Sequence, residues 1–240
     1  MGKLNSYAIV FGSSLAWSLV AVIGGSFVEP GGLFTTLTIG LLAVAALVLP
    51  LGLKKIPDLL NEDLYQAGLL LGLLTGALGL GSLLSALQYI SPLWVLGAIL
   101  CVPLLSAVIG APELKGSQAV AIPLGCLGLT VMTGGNELAD SQIGGLLLCG
   151  LGVVSMSLGL SWYRLKSRNQ SKIGLAFWAL IGAAIFLLPA ALAEQVYLTG
   201  WALNQFAAGA ALALSFLIGL ACWVWLEDRD RPNEDRLPLA

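Results

Sequence analysis

The sequence has no histidine. That removes the side chain that most often serves as general base, proton shuttle or metal ligand near neutral pH. Charge is scarce too. Asp, Glu, Lys and Arg make up 10% of the chain, against about a quarter in soluble domains. The four cysteines, Cys101, Cys126, Cys149 and Cys222, stand alone in apolar surroundings. No Cys-x-x-Cys spacing marks a metal or redox site, and such isolated thiols read as small hydrophobes. No nucleophile–base pair is present, and no glycine-rich loop follows a strand to cradle phosphate. These absences argue against an enzyme, a cofactor, a metal site and a nucleic-acid partner.

What the chain does have is apolar length. It is 58% hydrophobic with thirty glycines. A water-soluble protein of this composition would expose too much apolar surface to stay dispersed, so the expected solvent is lipid. About 20 apolar residues span the hydrocarbon core as a helix. Eight such runs are read at 6–28, 33–53, 64–90, 92–112, 117–135, 142–163, 171–193 and 203–226. Turn chemistry separates them, as in Glu29-Pro30-Gly31-Gly32 and Thr133-Gly134-Gly135-Asn136. The third and fourth runs are nearly continuous, and their boundary rests on Pro92, which disfavours helix at Ser91. Span 1 is too long for a signal-peptide h-region of about 7–15 residues and is read as retained.

The basic residues orient this layout, because they collect in cytoplasmic loops. All eleven fall before span 1, between spans 2 and 3, 4 and 5, or 6 and 7, or after span 8, counting Lys172, the second residue of span 7, with the loop before it. The remaining loops carry Glu29, Glu137, Asp140 and Glu194 and no Lys or Arg. Eight spans therefore put every positive charge on one face, with both termini cytoplasmic; one span more or fewer breaks the pattern. The expected fold is all-α, a polytopic membrane bundle of eight transmembrane helices. The expected location is a cell membrane, with a bacterial inner membrane as default and a thylakoid or other organellar membrane as alternative.

Pro50 and Pro189 lie 139 residues apart, each after an apolar run, "AVAALVLP" and "GAAIFLLP". The same shift carries Leu64 and Gln66 onto Leu203 and Gln205. Spans 1, 2 and 3 thus correspond to spans 6, 7 and 8. Five spans precede the second copy, so the copies are inverted, a common plan of secondary transporters. Gly68, Gly72 and Gly76 recur every four residues along span 3, a small-residue face that lets helix backbones approach.

The stretch "ALQYISPLWVLGAILCVPLLSAVIGAPELKGSQAVAIPLGCLGLTVMTGG" at 86–135 resembles the fourth and fifth helices of the drug/metabolite transporter superfamily, EamA-like branch. Its features are the "ALxY" helix end, Pro103 within a small-residue helix, Glu113, the "GSQ" turn and a glycine-rich fifth helix. Trp17 and "LALSFLIGLACWVWLEDR" at 212–229 look like that family's early tryptophan and eighth helix. The resemblance implies two inverted five-helix units around a central cavity. Here the second unit is read as three helices, giving a first repeat at 1–135, a second at 136–229 and a cytoplasmic tail at 230–240. It implies a permease moving a small solute by alternating access. The alternative is a non-transporting structural or assembly subunit of a membrane complex.

Candidate cavity residues are Trp17, Ser13, Ser14, Gln88 and Tyr89. Trp17 leads because it lies mid-span, away from the interfacial belts where tryptophan concentrates; helix packing is its other reading. Pro103 and Pro123 are hinge candidates, since a proline inside a helix removes a backbone hydrogen bond; a fixed bend is the other reading. Arg164, Lys166, Arg168 and Lys172 set topology and are candidates for contact with anionic head groups or an acidic partner. Trp94, Trp162, Trp201, Trp223 and Trp225 read as interfacial anchors, Asn204 and Gln205 as residues that open a helix. Glu29, Glu113 and Glu194 read as solvated acids at helix ends, because charge deep in lipid costs about 2.5 kcal/mol or more. Expected partners are membrane lipids, and a homodimer or a membrane protein packing on the helices from 92 to 135.

Overall fold

The structure, a computed structural model, describes residues 2–26, 32–52, 61–110, 140–166, 171–194 and 203–229. Among the described residues the regular elements are all helical. Helix α1 is Gly2–Ser26 and α2 is Leu33–Gly52. Helix α3 is Glu62–Ala86, and its middle, Gly72–Leu80, is wound as a π-helix. Then come α4, Pro92–Gly110, α5, Asp140–Lys166, α6, Lys172–Ala193, and α7, Leu203–Arg229. Seven of the eight expected spans correspond to these helices, and the boundary between the third and fourth falls at Pro92. Helix α3 stops at Ala86, four residues short of the expected end, and Leu87–Tyr89 form a turn. The expected span at 117–135 lies outside the described residues.

Among the described residues five helices are long and apolar enough to cross a membrane: Leu33–Pro50, Glu62–Ala86, Gln142–Tyr163, Lys172–Ala193 and Gln205–Trp223. The set is compatible with a multi-pass membrane protein. The outward faces agree with it: Leu47, Leu147 and Leu192 are each 70% exposed. Apolar residues thus point both inward and outward, as on helices that exchange protein contacts for lipid contacts.

Local chemistry sets where the helices start. Asn61 accepts a hydrogen bond from the Asp63 amide (3.1 Å) and caps α3. Glu62 and Asp63 in that first turn complement the positive end of the helix dipole. Ser171 caps α6 by accepting from the Gly174 amide (3.4 Å). Pro50 and Pro189 both fall near the C-terminal ends of their helices, α2 and α6, where each removes one backbone hydrogen bond to the preceding turn.

Side-chain contacts fix the direction of each neighbour. Along α3, Gly68 meets Trp178 and Leu175, and Gly76 meets Ala183, so α3 and α6 run parallel. Gly145 meets Ile90, Gly152 meets Leu83 and Gly159 meets Thr75, so α5 runs antiparallel to α3. Ser157 donates to the Val102 carbonyl (3.2 Å) and Ser161 to the Ser106 carbonyl (3.1 Å), so α4 and α5 run parallel. Gly24, near the end of α1, meets Leu84 near the end of α3 and Leu87 in the turn after it, which makes those two helices parallel. Helices α1, α3 and α6 therefore start at one end of the bundle, where α2, α4, α5 and α7 finish; we term this the first end. Lys3, Arg164, Lys166, Lys172 and Arg229 all fall in helix segments at this end.

Glycines set the closest approaches. A Cβ at Gly40 would sit on the Gly209 carbonyl, and one at Gly209 on the Thr36 carbonyl, so α2 and α7 touch backbone to backbone. The stripe of Gly68, Gly72 and Gly76 does the same against α6, while Gly145, Gly152 and Gly159 of α5 face the other side of α3. Helix α3 is held between two such seams, and its π-wound stretch lies where they press on it. Wider winding in that stretch is eased by Gly72, Gly76 and Gly79, and Thr75 donates back to the Leu71 carbonyl (2.7 Å).

Candidate functional site

Two polar or aromatic constellations lie between the helices. The first surrounds Trp17. One turn below it on α1, Ser13 is also buried. Trp17 itself is fully buried; it stacks on Trp223 (centroids 4.6 Å apart, planes at 29°) and meets Phe216 edge-on at 5.9 Å. Gly219 lets the indole lie against α7, since a Cβ there would come within 2.7 Å of Nε1. Among the described residues, neither the Trp17 indole N–H nor the Thr38 hydroxyl has a hydrogen-bond partner. A buried unpaired polar group costs about 1–3 kcal/mol, so these two groups carry a desolvation cost that the hydrogen-bonded buried hydroxyls of Thr75, Ser157 and Ser161 avoid.

The sequence reading separated two residues that the fold joins. Trp223 reads as an interfacial anchor, yet the structure buries it against Trp17. Helix α7 is apolar all round, so hydropathy carries no sign of which tryptophan turns inward. Conversely, Gln88 and Tyr89 do not join Trp17. They occupy the exposed turn after α3, at the second end of the bundle. Gly24, which packs at the level of Leu84 and Leu87, is seven residues past Trp17, about 10 Å along the helix.

The second constellation clamps the second end. The Glu194 carboxylate, just past α6, accepts from the Phe34 amide (2.9 Å), the Thr35 amide (2.8 Å) and the Thr35 hydroxyl (2.9 Å). The Thr35 hydroxyl also lies 3.2 Å from the Ala191 carbonyl, and Thr36 donates to Gln205 at 3.3 Å. Glu194 therefore caps α2 from another helix, satisfying amides that the first turn leaves open and placing negative charge at the positive dipole end. The expectation of a solvated acid is corrected here: Glu194 is half-buried and ties α2 to α6. Gln205, expected to open a helix at the interface, joins the same cluster. Thr35 and Thr36, next to a helix start, were the available signal; their partners lie about 160 residues away and leave no local trace.

Of the hinge candidates, Pro103 lies inside α4. The hydroxyls of Ser157 and Ser161 reach the carbonyls at 102 and 106 on either side of it, bracing the helix against α5. Pro123 and Arg168 lie outside the described residues, as does the side chain of Ser14. Arg164 and Lys166 fall in the last turn of α5, and Lys172 opens α6 with an exposed side chain. Among the described residues no group of three or more Cys, Asp or Glu side chains is arranged to hold a metal.

No known protein family, curated protein or solved structure matches this chain. The class is accordingly defined by the bundle itself, a set of apolar helices long enough to cross a membrane more than once.

Proposed function

We propose that the protein is a permease-like membrane protein of the drug/metabolite transporter type, built as an inverted repeat and moving a small neutral or zwitterionic solute by alternating access. The observation that carries this reading is an interchange of contacts. The shift that carries Pro50 onto Pro189 maps α1, α2 and α3 onto α5, α6 and α7. Helix α1 packs on α7 as α5 packs on α3. Helix α2 packs on α7 as α6 packs on α3, and α2 packs on α6 itself. Because α1 and α5 start at opposite ends, the mapping inverts the chain, as in many secondary transporters. The parallel pair α4 and α5 leaves Gly110 and Asp140 at opposite ends, which favours one further crossing between them and thus eight spans. The positive charge at the first end favours a cytoplasmic orientation for that end. The unpartnered Trp17 N–H supplies hydrogen-bonding capacity for a solute, and the buried polar residues among the described ones are serines and threonines, which suits an uncharged cargo.

A second reading, a non-transporting subunit of a membrane assembly, is favoured by the sealed packing of Trp17 against Trp223 and Phe216. Reconstitution into vesicles separates the two. A panel of radiolabelled neutral and zwitterionic solutes should include one that accumulates, with uptake reduced at least about tenfold in Trp17→Ala while the variant elutes as a folded bundle. No uptake across the panel, together with a stoichiometric foreign chain after mild purification, would favour the subunit instead.

A further inference from the structure

Among the described residues, helices α6 and α7 do not pack along each other, and a cavity of about 260 Å³ lies between them. It takes Leu217, Leu220 and Ala221 of α7, whereas Trp17 packs on Phe216, Gly219 and Trp223. The two sites therefore use different faces of that helix. The inner wall is buried, with Leu71 of α3, Leu175 of α6 and Leu220. The lip is made of small side chains, Ala176 half-buried and Ala221 exposed. Beside the lip, Ile173 of α6 and Ile218 of α7 are each 45% exposed. The cavity thus opens sideways, onto the apolar surface that the spans present to lipid.

We infer that this cavity binds a compact, uncharged ring molecule that reaches it through the lipid phase. Volume sets the size: an apolar cavity of about 150 Å³ holds benzene, so this one has room for about two fused rings. Shape separates a ring from a lipid tail. The lining runs from Lys172 to Ala176 on α6 and from Leu217 to Ala221 on α7, one helical turn on each, about 6 Å. A lipid tail runs the depth of a leaflet, about 15 Å or half the hydrocarbon core, and would leave more than half its length outside. A fused ring system fits within one turn and buries most of its surface there, as bound small ligands do. Chemistry sets the charge. Six of the eight lining residues are leucine or alanine, and the polar two, Tyr163 and Lys172, are already engaged within the protein. A charged ligand would give up its hydration for hydrocarbon side chains, a cost that an uncharged ring avoids. The site is independent of whether the protein transports, and a ligand there would bridge α6 and α7.

The test is fluorine NMR of the detergent-purified full-length protein titrated with fluoronaphthalene, reading a bound resonance distinct from that of the micelle-dissolved probe. The bound resonance should saturate. Naphthalene should displace it, dodecane should not, and the naphthoate anion should compete at least about tenfold more weakly than naphthalene. Ala176→Phe fills the cavity and should remove the bound resonance. Ala221→Leu, at the exposed lip, should narrow the entrance and weaken binding about tenfold without disturbing the fold. The absence of a saturable resonance in the wild type would overturn the proposal, as would wild-type binding in both variants. So would equal competition by naphthoate, or displacement by dodecane as effective as by naphthalene, which would mark the cavity as a seat for lipid tails.

Discussion

The two ends of the bundle hold their helices together by different physics. At the second end, one carboxylate accepts from three donors on another helix, and Thr36 and Gln205 bring α7 into the same cluster. Among the described residues at the first end, α6 and α7 stand apart around an apolar cleft and the caps Asn61 and Ser171 bond within their own helices, while Ser157 and Ser161 tie α5 to α4 through neutral hydroxyl bonds. In a medium where hydrogen bonds between helices average only about 0.6 kcal/mol, a charge-assisted cap with three donors is a concentrated link. Among the described residues, the contrast is between a charge-assisted cap that joins three helices at the second end and an apolar cleft that leaves α6 and α7 apart at the first.

Substitutions that separate the two ends should rank accordingly. The largest effect belongs to Glu194→Ala, which strands the Phe34 and Thr35 amides; it should lower stability by about 2–3 kcal/mol, read as the midpoint of SDS unfolding in mixed micelles. Next comes Thr35→Val, which keeps both backbone bonds and removes only the hydroxyl; about 1 kcal/mol is expected in the same assay. The smallest belongs to Lys172→Gln at the first end, within about 0.5 kcal/mol of wild type in lipid-free micelles. If Lys172→Gln matched Glu194→Ala, the two ends would be equally fixed and the contrast would fail.

Much of the fold was written in local chemistry. Pro92 divides α3 from α4, Glu62 and Asp63 open α3, and the glycines at 68, 72 and 76 mark a face that the structure turns toward α6. What the chain hid were the pairings across distance. Gly40 and Gly209 form the tightest crossing, yet neither belongs to a regular stripe. Trp223 was misread because a helix apolar on all sides presents the same hydropathy to a neighbour and to lipid. The cap on α2 was misread for a related reason: Glu194 reads as a solvated acid until α2 is seen to start beside it. The π-wound middle of α3 has no sequence signature beyond its glycines, and it coincides with the stretch where α5 and α6 approach α3 most closely.

The central claim is that these helices cross a membrane with the first end in the cytoplasm. Single cysteines placed at Asn61 and at Tyr89, in a background with Cys101, Cys126, Cys149 and Cys222 replaced by Ala, test it with a membrane-impermeant maleimide on intact cells. Both positions are exposed and lie at opposite ends of α3. The account predicts that Tyr89→Cys is labelled on intact cells and Asn61→Cys only after permeabilisation. Labelling of both positions on intact cells would contradict it.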